Sequence, residues 1–286
     1  MKFKSLLILF MLVASLQAIV DDVVDDIVDD IVDDPISSIL TFTPTGDSSR
    51  YSVTDCIETA IGILVIPNSY RGLPVTSIAD DAFYNCSSLT SITIPDNVTS
   101  IGNYAFYRCT SLTSVTIPDS VTSIGNYAFL GCTSLSSITI PDSVTSIGTG
   151  AYAECSALAS LTIPDSVTSI GESAFLYCRS LTSITIGNRV KSIEEDTFNG
   201  CNSLNSIAIP DSVTSIGVGA FENCQSLSSI SIGNGVTSIE SYAFNSCSSL
   251  TSITIPDSVT SIGDSAFQNC SSLDSVRFDG VAPTIG

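Results

Sequence analysis

Tryptophan and histidine are both missing from this 286-residue chain, and there are only two methionines. The absent histidine removes the usual base for activating a serine and a common ligand for zinc, and so narrow a composition is that of a repetitive protein. Cations are scarce as well: nine Lys and Arg stand against 29 Asp and Glu, a formal net charge of -20. Such a chain repels polyanions, so nucleic acid is not expected as a partner. Long apolar runs are absent beyond the N-terminus, where Ser, Thr or Asp interrupts every apolar pair. No membrane span is therefore expected once the N-terminal segment is removed.

That segment, residues 1–18, has Lys2 and Lys4, an apolar run over residues 6–13, and small or polar residues leading to Ala18. These are the three zones of a secretory signal peptide, with cleavage expected near Ala18. The competing reading is an uncleaved anchor, but this needs about 20 apolar residues, and Asp21 and Asp22 follow at once. Residues 19–35 repeat two aliphatics and two aspartates four times. Clustered like charge makes this stretch a solvated spacer. A helix would line up its aliphatics but set the aspartates against each other, and weak calcium binding would lack the turn glycine and distal glutamate of an ordered loop.

Internal periodicity organises the rest. Cysteines stand at Cys86, Cys109, Cys132, Cys155, Cys178, Cys201, Cys224, Cys247 and Cys270, every gap being 23 residues, with a leucine three residues after each. In the unit that starts at Cys109, the apolar positions Leu112, Val115, Ile117, Val121, Ile124, Ala128 and Phe129 recur in every copy with few substitutions, and are the expected core. Residues 112–117 are rich in β-branched residues and end in apolar-polar-apolar alternation, a strand signal. Pro118, repeated at 67, 95, 141, 164, 210 and 256, stops each strand. Residues 121–124 predict a second short extended piece, Gly125 a tight change of direction, and residues 126–131 about one helical turn. One unit cannot bury seven apolar side chains alone, but stacked copies can. The expected fold is therefore an α/β solenoid of about nine to ten coils over residues 61–286, spaced by roughly 4.8 Å, with residues 36–60 as an N-terminal cap.

The pattern C-x-x-L-x-x-I-x-I-P-x-x-V-x-x-I-G-x-x-A-F resembles the BspA-like class of leucine-rich repeats, over about residues 61–278. The resemblance implies a right-handed leucine-rich-repeat superhelix, secreted or on the cell surface, with binding or adhesion rather than catalysis as its role. Members share no single ligand, so no site residues carry over. Departures from the pattern mark irregular coils. Five extra residues separate Pro67 from Val75, and Cys56 is out of register. Gly187 and Gly233 replace the turn proline, Glu194 and Glu240 replace the turn glycine in the same copies, and those two coils are expected to turn differently. Asp274, Arg277 and Asp279 on the last strand would discourage edge-to-edge pairing.

Ten cysteines in a secreted chain ordinarily suggest disulfides. One thiol per coil instead describes a buried ladder of small hydrophobes, and a one-dimensional ladder cannot converge four zinc ligands. No cofactor or metal is expected. Catalysis has little to draw on: beyond the signal peptide the only lysine is Lys191, and nothing singles out a nucleophile. Asp119, Asp142 and Asp165 follow the turn proline as turn formers. The sequons at Asn85, Asn97 and Asn269 would be glycosylated only in a eukaryotic secretory pathway, Asn97 being the best placed.

Strand pleating turns Thr93, Thr116, Thr139, Thr162, Thr185 and Thr254 outward, with Ser91, Ser114 and Ser137 nearby. This hydroxyl-lined face is the candidate binding surface, yet it lacks the aromatic and arginine anchors of selective protein recognition. Three functions remain open. They are an extracellular module that recognises a protein or glycan, a lattice binder for ice, mineral or crystalline polysaccharide, and a structural wall or matrix component. Against the lattice reading, Thr-x-Thr pairs are missing, since Ser114 and Val115 separate Thr113 from Thr116.

Overall fold

Alternation of apolar and hydroxyl residues pleats each unit into a short strand whose two faces meet different environments. The computed structural model describes residues 38–286, so the expected signal peptide and acidic spacer lie outside the described residues. The chain divides into two compact units, Met1–Thr41 and Phe42–Gly286. Of the first, only residues 38–41 are described, and Leu40 and Thr41 are extended.

The second unit is a stack of coils. In Ser114–Thr116, Ser160–Thr162 and Ser183–Thr185 the central residue is buried and its two neighbours are exposed. Successive strands pair in parallel one repeat apart, so that Ser160 meets Ser183, Leu161 meets Ile184 and Thr162 meets Thr185. Pro118 ends its strand, and its carbonyl accepts the Val121 N–H at 3.1 Å, closing a four-residue turn. The chain then forms a second ladder of Ser-Ile pairs, such as Ser123–Ile124 against Ser146–Ile147. All seven expected core positions of the Cys109 unit are buried. Like residues therefore stack on like, and each coil covers the apolar edge of the one before it.

The helical turn expected after Gly125 does not form, and no helix occurs among the described residues, so the unit is a β-solenoid. Two positions per coil, the residues preceding Ala and Cys, are left-handed: Tyr104 and Arg108 have φ of 53° and 54°, and Tyr127 and Gly131 have 56° and 73°. An α-helix excludes such residues. Backbone groups between them bond across coils instead: Tyr104, Phe106 and Arg108 donate their N–H to the carbonyls of Asn126, Ala128 and Leu130. This third inter-coil ladder satisfies the groups that a helix would have paired internally.

The two coils with Gly187 and Gly233 keep the ordinary turn: Val190 donates to Gly187 at 3.4 Å and Val236 to Gly233 at 3.2 Å. Asp165 and Asp211 in the preceding coils accept the N–H of Asn188 and Asn234, both at 2.7 Å. Glu194 stands where the preceding coil has glycine. A Cβ at Gly171, its equivalent one coil earlier, would lie 2.4 Å from the Thr149 nitrogen. The Ser-Ile ladder divides between Ser169–Ile170 and Ser192–Ile193, whereas the coil of Glu240 stays paired with its neighbours.

The first coils are irregular. Tyr51–Cys56 pairs in parallel with Leu73–Ile78, with a register shift after Tyr51. The five extra residues make a hairpin in which Ser69 and Tyr70 face Pro74 and Leu73. Its two linking residues, Arg71 and Gly72, both have positive φ, as a type I′ hairpin turn requires. Phe42 stacks on Tyr70 with ring centroids 4.2 Å apart, and Tyr51 meets Tyr70 edge-on at 5.1 Å.

Candidate functional site

Each in-register cysteine from Cys109 onward has one task, set by the turn segment that precedes it. Its Sγ donates to the carbonyl of the aromatic residue in the coil before: Cys109 to Phe83 and Cys132 to Phe106 at 3.1 Å, Cys155 to Phe129 at 3.3 Å. Cys178, Cys201, Cys224, Cys247 and Cys270 repeat this toward Tyr152, Phe175, Phe198, Phe221 and Phe244. All are fully buried except Cys270, which is half-buried. Burial pushes the Cys132, Cys178 and Cys224 thiols up to about 12. They stay protonated at neutral pH, and a protonated thiol is neither a nucleophile nor a metal ligand.

On the strand face, Thr93, Thr116, Thr139, Thr162, Thr185 and Thr254 are all exposed. The serine two residues earlier on each strand also points outward, so the face carries Ser-x-Thr pairs in two columns. Thr113 does not belong to it, because its hydroxyl donates to the Thr90 carbonyl at 2.9 Å. Around Thr139, Thr162 and Thr185 the face forms a shallow groove of about 550 Å³, with Ser137, Ser160 and Ser183 beside them. The column loses its hydroxyl at Ala208. In the first coil the outward positions are apolar, with Ile61 and Ile63 exposed by 77% and 74%.

Asn97 is exposed, and its amide donates to the Asn68 carbonyl at 3.2 Å. Asn85 and Asn269 occupy the left-handed position before the cysteine, with φ of 58° and 60°. Asparagine tolerates that conformation better than most residues, which gives both a structural role. Lys191 is exposed, and its carbonyl accepts the Thr214 N–H. Among the described residues no group of three or more Cys, Asp and Glu could hold a metal ion.

The turn face, where the residues around the Ala-Phe pair vary between copies, as Asn103 and Tyr104 do against Thr149 and Gly150, carries stacked aromatics that the repeat pattern does not announce. Tyr84 stacks on Tyr107 with centroids 4.7 Å apart, and Tyr104 stacks on Tyr127 at 4.9 Å. Tyr104 meets Tyr107 edge-on at 5.9 Å, and the Arg108 guanidinium lies 5.3 Å from the Tyr107 centroid. Tyr84 and Tyr104 are 40% and 37% exposed. The signal was available: each stacked pair is separated by one repeat, so aligning the variable positions would have found it. Tyr104, Tyr127 and Arg108 hold left-handed backbone, where such side chains cost about 1 to 2 kcal/mol relative to glycine.

Comparison with known proteins places this geometry. The description "BspA type Leucine rich repeat region" matches residues 76–205 and 168–286. A leucine-rich repeat protein of known structure from Bacteroides ovatus is 30% identical, with a TM-score of 0.73 over 85% of this chain and 70% of that one. The T. pallidum leucine rich repeat protein is 33% identical, with a TM-score of 0.63 over 67% of this chain and 89% of that one. A search of curated proteins returned no match.

Proposed function

Because the chain belongs to the BspA type leucine rich repeat family, we propose that it is an extracellular, non-enzymatic binding scaffold that recognises a protein or glycan partner. The observation that carries this reading is the cluster of Tyr84, Tyr104, Tyr107 and Tyr127 with Arg108. Tyrosine and arginine dominate the energetics of protein recognition because they combine large apolar area with a polar tip and lose little conformational entropy. Here the rings are already held by stacking on one another, so little ordering remains to be done on binding. A protein partner suits this surface better than a glycan. The rings lie face to face along the stack, so their facing surfaces are covered by one another and not offered for a sugar to stack on.

A second reading, the lattice binder, gains from the strand face. Its outward pairs are Ser-x-Thr, with columns about 4.8 Å apart between coils and about 6.6 Å along each strand. That regular array of hydroxyls fits a repeating ligand such as ice or crystalline polysaccharide.

One experiment separates them. The full chain, the triple variant Tyr84→Ser, Tyr104→Ser, Tyr107→Ser, and the triple variant Thr116→Tyr, Thr139→Tyr, Thr162→Tyr are applied to arrays of matrix proteins and glycans and to an ice recrystallisation assay. Protein recognition by the tyrosine cluster requires at least a tenfold loss of array binding in the first variant and little change in the second. Loss confined to the threonine variant, with ice or polysaccharide as the ligand, would transfer the function to the strand face.

A further inference from the structure

From the way the first coils bring two sulfurs together, we infer that Cys56 and Cys86 form a disulfide that ties the irregular first strand of the solenoid to the repeat. Cys56 lies 30 residues before Cys86, outside the 23-residue register. Folding nevertheless delivers it to the start of the thiol ladder, at the end of Tyr51–Cys56. Both side chains are buried, with 3% and 0% exposure. The Cys56 Sγ lies 3.6 Å from the Ile57 carbonyl oxygen, and the Cys86 Sγ lies 3.7 Å from the same oxygen and 3.6 Å from the Cys56 carbonyl oxygen. A disulfide needs an S–S length of about 2.05 Å, and both sulfurs already converge on the same Ile57 carbonyl oxygen.

Cys86 differs from the cysteines that follow it. They have a regular coil beneath them and donate to its aromatic carbonyl at 3.1 to 3.3 Å. Beneath Cys86 the coil is irregular, and Ile57 offers only a longer contact. On this side the thiol meets Cys56, whose carbonyl oxygen lies 3.6 Å from its sulfur. Interior thiols such as Cys155 stand between two equivalents, Cys132 and Cys178, which gives no unique pairing.

The bond forms by two thiol–disulfide exchanges with a low-molecular-weight disulfide. The Cys86 thiolate attacks one sulfur of the donor and expels the first thiol, leaving a mixed disulfide. Cys56 then loses its proton, attacks the Cys86 sulfur and expels the second thiol. Two protein thiols and one donor disulfide become one cystine and two small thiols, so the donor takes up both electrons. Because both sulfurs are buried, the donor reaches them while Tyr51–Cys56 is not yet docked on Leu73–Ile78, that is, during folding. Residues 1–18 read as a secretory signal, and secretory compartments supply such donors. The crosslink closes the part of the solenoid where register shifts interrupt both ladders.

The test uses the full chain refolded in a mixture of reduced and oxidised glutathione, then unfolded and alkylated without reductant. Cleavage at Arg50, Arg71 and Arg108 puts Cys56 in residues 51–71 and Cys86 in residues 72–108. The expected result is eight alkylated cysteines, the ten of the chain less the bridged pair, with peptides 51–71 and 72–108 linked until reductant is added. Reductant should also lower the melting temperature of the wild type by several degrees and leave that of Cys56→Ser unchanged. Ten alkylated cysteines, or a linkage elsewhere such as Cys247 to Cys270, would overturn the inference.

Discussion

A Cβ added to Gly150 would lie 2.4 Å from Cδ1 of Tyr127, so the tyrosine ring of one coil rests on the bare backbone of the next. Gly150 is also left-handed, with φ of 59°. Replacing it with alanine should combine backbone strain of about 1 to 2 kcal/mol with displacement of the ring. Gly150→Ala is expected to lose about 2 kcal/mol in urea unfolding and to weaken any partner that uses the tyrosine cluster. Unchanged stability would show that the ring moves aside freely.

Tyr152 stands where other coils have phenylalanine, stacked between Phe129 at 5.3 Å and Phe175 at 5.6 Å. Its hydroxyl is buried and has no hydrogen-bond partner. An unpaired buried hydroxyl costs about 1 to 3 kcal/mol. Tyr152→Phe should therefore raise stability by about 1 kcal/mol, read as a higher urea midpoint. A lower midpoint would mean that the hydroxyl has a partner, such as a bound water.

Truncating the same column elsewhere should do the opposite. Phe198 is fully buried and stacks on Phe175 and Phe221 at 5.5 and 5.2 Å. Phe198→Ala is expected to cost about 3 to 5 kcal/mol. Coils are stabilised chiefly by their neighbours, so hydrogen exchange should show the loss concentrated in the adjacent coils and fading toward either end. Uniform loosening along the whole chain would contradict nearest-neighbour stacking.

Alkaline pH should unfold the protein. The thiols of Cys132, Cys178 and Cys224, pushed up to about 12 by burial, ionise near 9.0 once exposed. Between those values the folded state holds protons that the unfolded state has lost, so unfolding becomes more favourable as pH rises. Stability should be complete below pH 9.0 and decline above it, by at most about 1.4 kcal/mol per pH unit for each thiol. Urea midpoints from pH 8 to 11 would measure the slope, and Cys178→Ala should make it shallower. A flat profile would show that these sulfurs are not sealed from solvent in the folded state.

Much of this was legible in the chain itself. The 23-residue period, the core positions from Leu112 to Phe129, the turn at Pro118 and the outward Thr93 to Thr254 column are written in the alternation and recurrence of residue types. The segment after Gly125 was misread, because Ala128 beside Phe129 has the look of a helical turn. Gly131, Gly150, Gly200 and Gly219 at the left-handed positions were a clue against it. The tyrosine stacks are harder to read because they need tyrosine at one position in two adjacent coils, as at Tyr84 and Tyr107 or Tyr104 and Tyr127, whereas Tyr242, at the Tyr104 position, has Gly219 and Ser265 in the coils beside it.

What the sequence determined alone is the stack: seven apolar side chains in each coil cannot be hidden except against their own copies, and a fixed period sets which residue meets which. Tertiary structure decided where partners come from outside the coil. Tyr104 and Phe106 satisfy their N–H groups on a carbonyl 22 residues away, so the local pattern could not reveal that a helix was unnecessary. Cys56 likewise meets Cys86 only because an irregular strand and a hairpin insertion together place it there. Such pairings depend on how neighbouring coils satisfy each other's backbone, and a single repeat carries no record of that.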